Sequence, residues 1–109
     1  MDEWLDAIVE WGRKRESVKR IWLFGSRAKG ISTQTSDLDI AVELNPDDGE
    51  CLAEWVLNAK KWKQEIQEVV GDAPVIDLQF VDEVTDDIVW PAVQDHGRLL
   101  FDRNHSGKI

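Results

Sequence analysis

Cysteine is scarce in this chain, and long apolar runs are absent. Cys51 is the only cysteine among 109 residues, which excludes an internal disulfide and a metal site built from several cysteines. It lies in an amphipathic pattern, which favours a small core residue over a nucleophile. No stretch approaches the roughly 18 apolar residues of a membrane-spanning helix, and Asp2 and Glu3 stand where a signal peptide carries basic residues. We therefore expect a soluble, cytoplasmic protein without a membrane partner.

Basic residues are outnumbered by acidic ones. The 13 lysines and arginines against 22 aspartates and glutamates give a formal net charge of −9 at pH 7. Because this charge repels phosphate backbones, a polynucleotide partner is disfavoured. A small nucleotide is compatible with it, since metal ions can bridge nucleotide phosphates to carboxylates, and a basic protein partner would be attracted.

Tyrosine is missing, whereas tryptophan occurs six times. We interpret most of the tryptophans as core residues; the alternative is a contact surface that includes Trp4 and Trp11. Hydrophobic residues make up 42% of the chain, enough for a real core. The length suits a single domain over residues 1–109.

The spacing of apolar residues predicts seven elements in the order helix, strand, strand, helix, strand, helix, strand. The predicted helices are 2–15, 49–70 and 85–96, and the predicted strands are 20–24, 37–44, 75–81 and 99–101. The second helix is amphipathic, with Val56 and Val69 among its predicted buried positions. Strand 20–24 is apolar on both faces, which is typical of a central strand. This order fits a mixed sheet with helices packed against it.

A glycine and a serine follow the first predicted strand. Gly25 allows a tight turn at the end of the strand and lets a phosphate approach the backbone. Ser26 adds a hydroxyl donor, and the residues after it can present amide N–H groups to an anion. Such a junction is also common without any ligand, so this pair alone does not assign a function.

Three aspartates interrupt the next two strands. Asp37 and Asp39 are two residues apart in a strand, so their carboxylates leave the same face and can share a divalent ion. Asp77 stands between apolar residues in the third strand; if that strand lies beside the second, all three acids share one face. Solvated acids on half-buried strands are the plain alternative, but like charges on one face favour a cation.

Taken together, these residues resemble the nucleotidyltransferase superfamily related to DNA polymerase beta. Gly25-Ser26 is followed by ten residues, then Asp37-Leu38-Asp39, and Asp77 lies on a later strand. The fuller string, Leu-Phe-Gly-Ser-Arg-Ala-Lys-Gly with a later Ser-Asp-Leu-Asp, is similar to the minimal nucleotidyltransferase (MNT) group. The resemblance covers residues 20–81. It implies an α+β fold, a mixed and mainly antiparallel sheet of about four strands with helices packed against it.

The resemblance also implies a role for each motif residue. Gly25 and Ser26 would hold the triphosphate of ATP, and Arg27 and Lys29 would contact phosphates, although a solvated turn is an equal alternative for these two. The acids would bind Mg²⁺, in two-ion form, and the third would complete the site or activate the acceptor; in order they are Asp37, Asp39 and Asp77. The implied reaction transfers a nucleoside monophosphate to an acceptor hydroxyl and releases pyrophosphate.

The acceptor is the least determined part of the prediction. Larger relatives add domains that form the acceptor pocket, so we expect a chain of this length to use a partner or a second copy. MNT proteins occur with helical HEPN toxins, and the leading hypothesis is an antitoxin that adds AMP to such a toxin, which makes the chain a protein adenylyltransferase. The alternatives are a non-catalytic steric antitoxin and a stand-alone transferase that acts on a small molecule.

Overall fold

The fold is described from a computed structural model over residues 2–25, 29–30, 37–44, 51–72, 75–81 and 89–103. Three helices and four strands lie within these ranges. The helices are α1 (Asp2–Arg13), α2 (Cys51–Val70) and α3 (Val89–His96), and the strands are β1 (Val18–Phe24), β2 (Leu38–Leu44), β3 (Ile76–Phe80) and β4 (Arg98–Asp102). Their order and kind confirm the prediction. The side chain of Cys51 and residues 85–88 lie outside the described part.

Element ends differ from the predicted bounds by a few residues. The first helix ends at Arg13 rather than residue 15, because the amide of Arg15 bonds to the carbonyl of Gly12 in a tighter turn at 3.0 Å. Pro91 lies within α3, and the helix continues past it to His96.

The four strands form one sheet in the order β3-β2-β1-β4. Strand β1 pairs antiparallel with both β2 and β4, whereas β2 and β3 are parallel. Parallel neighbours need a crossover connection, and α2 lies in the segment between these two strands. The prediction of an α+β fold with a mixed, mainly antiparallel sheet is therefore confirmed.

Both faces of the sheet carry apolar clusters. Alternate residues of β2 lie in the main cluster, which also contains residues of α1 and α2; those of β2 are Leu38, Ile40, Val42 and Leu44. The opposite face forms a smaller cluster, with α3 packed on it through Val93; its sheet-side members are Trp22, Ala41 and Val81. Burial on both sides explains why β1 has no polar face, as the sequence predicted.

The tryptophans belong to these two clusters. Three are buried, Trp11, Trp22 and Trp62, and the other three pack against a cluster while partly exposed. Trp11 meets Trp62 edge to face at 5.8 Å between ring centroids, which joins α1 to α2. The interpretation as core residues is confirmed for three of the six tryptophans.

Two residues predicted to lie in the core are exposed on α2. Val56 is 69% exposed because it lies roughly 120° around the helix from buried Trp62, at 3.6 residues per turn. Val69 is 49% exposed and lines a cleft beside α1 instead of the core. The buried stripe of the helix follows Trp62 and Ile66, so the prediction was wrong for both valines.

Polar contacts join α1 to α2 and to the end of the last strand. Glu65 of α2 accepts hydrogen bonds from Trp11 Nε1 at 3.0 Å and Arg15 Nη2 at 2.8 Å. Burial opposes the ionisation of Glu65, but these bonds outweigh it and lower the pKa of its carboxyl. Arg103, just after β4, donates to the carbonyls of Gly12 and Val18 at 2.8 Å each. The end of α1 is therefore fastened to the last strand.

Candidate functional site

Three of the predicted site residues, Gly25, Asp39 and Asp77, lie at one end of the sheet. In the antiparallel β1–β2 ladder, Phe24 stands opposite Asp39, so Gly25 leaves β1 beside that aspartate. In the parallel β2–β3 ladder, Asp39 stands opposite Asp77. Neighbouring strands are about 4.8 Å apart, so these two aspartates are direct neighbours across the sheet. The condition set by the sequence, that the third strand lies beside the second, is met.

Both aspartates project from the face that carries the smaller cluster. Their sequence neighbours Leu38, Ile40 and Ile76 are buried in the main cluster on the other side, and side chains alternate along a strand. Asp37 directly precedes β2 and is exposed, whereas Asp39 and Asp77 are partly buried.

A neighbouring amide holds the Asp77 carboxylate in place. Gln79 lies two residues along β3 on the same face, and its Nε2 donates to Asp77 Oδ1 at 2.7 Å. The bond occupies one lone pair and leaves the other oxygen of Asp77 for a second partner. Oxygen donors of this kind suit Mg²⁺. Among the residues that the structure describes, however, no three Asp, Glu, His or Cys side chains converge into a metal-holding group.

Gly25 lies directly against the Asp39 carboxylate. Its φ of +74° is in the left-handed region, which favours glycine. A Cβ atom at this position would overlap Asp39 Oδ2 and lie 2.8 Å from Asp39 Cγ. Glycine is therefore required at this position both for its backbone conformation and for the space that it leaves to Asp39. The close contact places the end of β1 directly against that aspartate.

Of the remaining predicted residues, the structure describes only Lys29. Ser26 and Arg27 lie outside the described residues. Lys29 is described and exposed, so its ammonium group is accessible both to a phosphate and to solvent.

The structure adds a residue that sequence reasoning missed. His96, the last residue of α3, accepts a hydrogen bond from the Gly25 amide through Nε2 at 2.9 Å. Its Nδ1 lies 3.1 Å from Asp95 Oδ2. The two partners are 71 residues apart, and a single histidine carries no periodic signal, so nothing in the sequence could have linked it to the turn.

The matching family agrees with this geometry. The profile of the polymerase beta nucleotidyltransferases matches residues 6–106, so the chain belongs to the polymerase beta nucleotidyltransferase family. The resemblance inferred from Gly25 and the three acids is thus confirmed at the level of the family. A search of curated proteins by sequence found no match. No helix in the described ranges is long and apolar enough to cross a membrane.

Solved structures with the same fold include antitoxins. A toxin–antitoxin structure with AMP-PNP matches with a TM-score of 0.61 and 24% identity, over 95% of this chain and 77% of that one. A tri-AMPylated Shewanella oneidensis HEPN toxin in complex with MNT antitoxin gives 0.59 and 22%, over 96% and 75%. A nucleotidyltransferase from Sulfolobus solfataricus gives 0.52 and 17%, over 92% and 78%.

Proposed function

We propose that this chain transfers AMP from ATP to a hydroxyl group of a partner protein, as the antitoxin of a pair with a HEPN-type toxin. The observation that carries the proposal is the alignment of Gly25, Asp39 and Asp77 across three adjacent strands. Family membership supports nucleotidyl transfer. The AMPylated toxin bound to a protein of the same fold supports the choice of nucleotide and partner.

The three acids are the proposed magnesium ligands. The three side chains do not converge in the described structure, but Asp37, Asp39 and Asp77 carry the hard oxygen donors that Mg²⁺ takes, and bound Mg²⁺ would neutralise the charge of the triphosphate. The bond from Gln79 holds one oxygen of Asp77, and the other oxygen would bind the ion. Mg²⁺ dependence is thus part of the proposal and rests on donor chemistry.

The site must also position the nucleotide and the acceptor for reaction. Gly25 keeps the backbone at the end of β1 close to Asp39, and Ser26, the next residue in the sequence, would donate to the phosphates. In the proposed reaction the acceptor oxygen forms a bond to the α-phosphorus of ATP. The bond from that phosphorus to the bridging oxygen breaks, and pyrophosphate leaves. Asp77 takes the hydroxyl proton, a role that suits a carboxylate next to the acceptor.

The acidic chain suits a protein acceptor better than a nucleic acid. With a net charge of −9 the surface repels phosphate backbones and attracts a basic protein. The acceptor surface then comes from the partner, and this chain contributes the nucleotide and the catalytic acids.

Labelled ATP tests the proposal directly. Wild-type chain, Asp37→Asn with Asp39→Asn, and a control with Asp6→Asn on the exposed surface of α1 are each incubated with α-labelled ATP, Mg²⁺ and a candidate toxin. We expect label on the toxin with the wild type and the control, and at least a 100-fold loss in the double variant, roughly the scale of a lost charge-stabilising group.

Measuring toxin neutralisation distinguishes a catalytic antitoxin from the non-catalytic steric antitoxin. If the double variant neutralises the toxin as well as the wild type does, and label never reaches the toxin, the chain acts as a binding module and the transferase proposal is wrong. Label on a small molecule instead of the toxin would indicate the stand-alone transferase.

A further inference from the structure

The backbone at the end of β1 makes a hydrogen bond to a helix and not to a neighbouring strand. The Gly25 amide lies just beyond the last ladder position of β1, where Phe24 pairs with Asp39. It donates instead to His96 Nε2 at 2.9 Å. The Gly25 N–H is therefore already used within the protein, and its role at the site differs from that of a phosphate donor.

His96 is itself fixed on two sides. Val93 packs α3 into the smaller cluster, and the Gly97 amide bonds to the Val93 carbonyl at 2.7 Å, which closes the helix. Strand β4 then begins at Arg98, opposite Leu23 of β1. The imidazole between these points is only 15% exposed. A side chain held in this way can fix the atom it contacts.

The contacts of the ring define its protonation form. Because Nε2 accepts the Gly25 N–H, it carries no proton, so the single proton of the neutral ring lies on Nδ1. That proton points to Asp95 Oδ2 at 3.1 Å. Asp95 is 77% exposed, so solvent partly screens the interaction through which its carboxylate orients the ring.

We propose that His96 is a positioning residue that anchors the nucleotide-binding turn through the Gly25 amide, with Asp95 selecting the Nδ1–H form. The role of the turn in nucleotide binding rests on the proposed function. The contact between His96 and Gly25 does not depend on that function. Gly25 lies against Asp39 on one side and is tied to α3 on the other. Without the anchor, Gly25 loses its fixed position relative to Asp39.

Two amide substitutions separate the anchor from bulk packing. In His96→Gln the side-chain oxygen reaches the place of Nε2 and can accept the Gly25 N–H. In His96→Asn a similar amide group is too short to reach it. The pair differs by one methylene, so a difference between the two variants reports on the hydrogen bond.

Nuclear magnetic resonance tests the contact without any nucleotide. In a ¹⁵N-labelled His105→Gln background, His96 is the only histidine, and we expect ring nitrogen shifts of the Nδ1–H form. The Gly25 amide should keep its downfield shift and slow exchange in His96→Gln and lose both in His96→Asn. An Nε2–H ring, or a Gly25 amide that His96→Asn leaves unchanged, would overturn the proposal.

Kinetics test the consequence. For His96→Asn the KM for ATP should rise about tenfold, the upper range for one hydrogen bond, while kcat falls by less than about threefold; His96→Gln should stay within about threefold of the wild type in both. A merely structural histidine would lower kcat through loss of folded enzyme and leave KM unchanged, and that result would overturn the inference. Absence of transfer by the wild type would instead reject the proposed function, while the resonance data still decide the contact.

Discussion

Replacement of Gly25 by alanine tests the closest contact of the candidate site. The backbone at Gly25 has φ +74°, and alanine in this region costs about 1–2 kcal/mol. Alanine also restricts the unfolded chain, which returns about 0.4–1 kcal/mol. The backbone effect alone is therefore a loss of about 1 kcal/mol in the free energy of unfolding, or about 5 °C in Tm for a chain of this size.

The steric effect is additional and acts on Asp39. The new Cβ would lie 2.8 Å from Asp39 Cγ and overlap its Oδ2, whereas relaxed carbon contacts are about 3.5–4.0 Å. The carboxylate must therefore move by about 1 Å, and a displacement of this size at a reacting centre costs about 100-fold in rate. We expect Gly25→Ala to lose about 100-fold in kcat/KM for ATP.

Gly30 provides the matched control. It has nearly the same φ, +76°, but a Cβ there meets no atom within 4 Å. Gly30→Ala should show the backbone cost of about 1 kcal/mol with no steric displacement. Chemical denaturation and labelled-ATP transfer measure the two effects separately. If Gly25→Ala and Gly30→Ala match in both stability and transfer, the reasoning from the Asp39 contact is refuted.

Two further substitutions test the contacts that hold the helices. Arg103→Met removes the hydrogen-bond donors to the carbonyls of Gly12, Arg15 and Val18. We expect the free energy of unfolding, measured with a chemical denaturant, to fall by about 2–4 kcal/mol. A decrease under about 0.5 kcal/mol would contradict the contacts. For Glu65 the lowered pKa means a stabilising contribution that is present above its ordinary pKa of about 4.3 and is lost as pH falls through the folded-state pKa. Glu65→Gln should thus be less stable than the wild type at pH 7 and lose less stability on acidification, whereas parallel stability–pH curves would disprove the linkage.

The sequence by itself determined the order of the elements and the residue types of the site. Period-two alternation in residues 37–44 fixed which side chains of β2 face the main cluster, because neighbouring residues in a strand must point to opposite faces. The string around Gly25-Ser26, followed by Asp37-Leu38-Asp39, resembled a known family, and that resemblance, rather than local geometry, indicated nucleotidyl transfer.

Only the tertiary structure decided which residues meet across the chain. Local patterns could not show that β3 lies parallel to β2 with Asp77 opposite Asp39, because strand pairing depends on packing of distant segments. The exposure of Val56 on α2 was equally unpredictable, since an apolar residue beside the buried stripe has the same local pattern as one within it. The contact between His96 and Gly25 exists only because α3 and β4 return the chain to the end of β1.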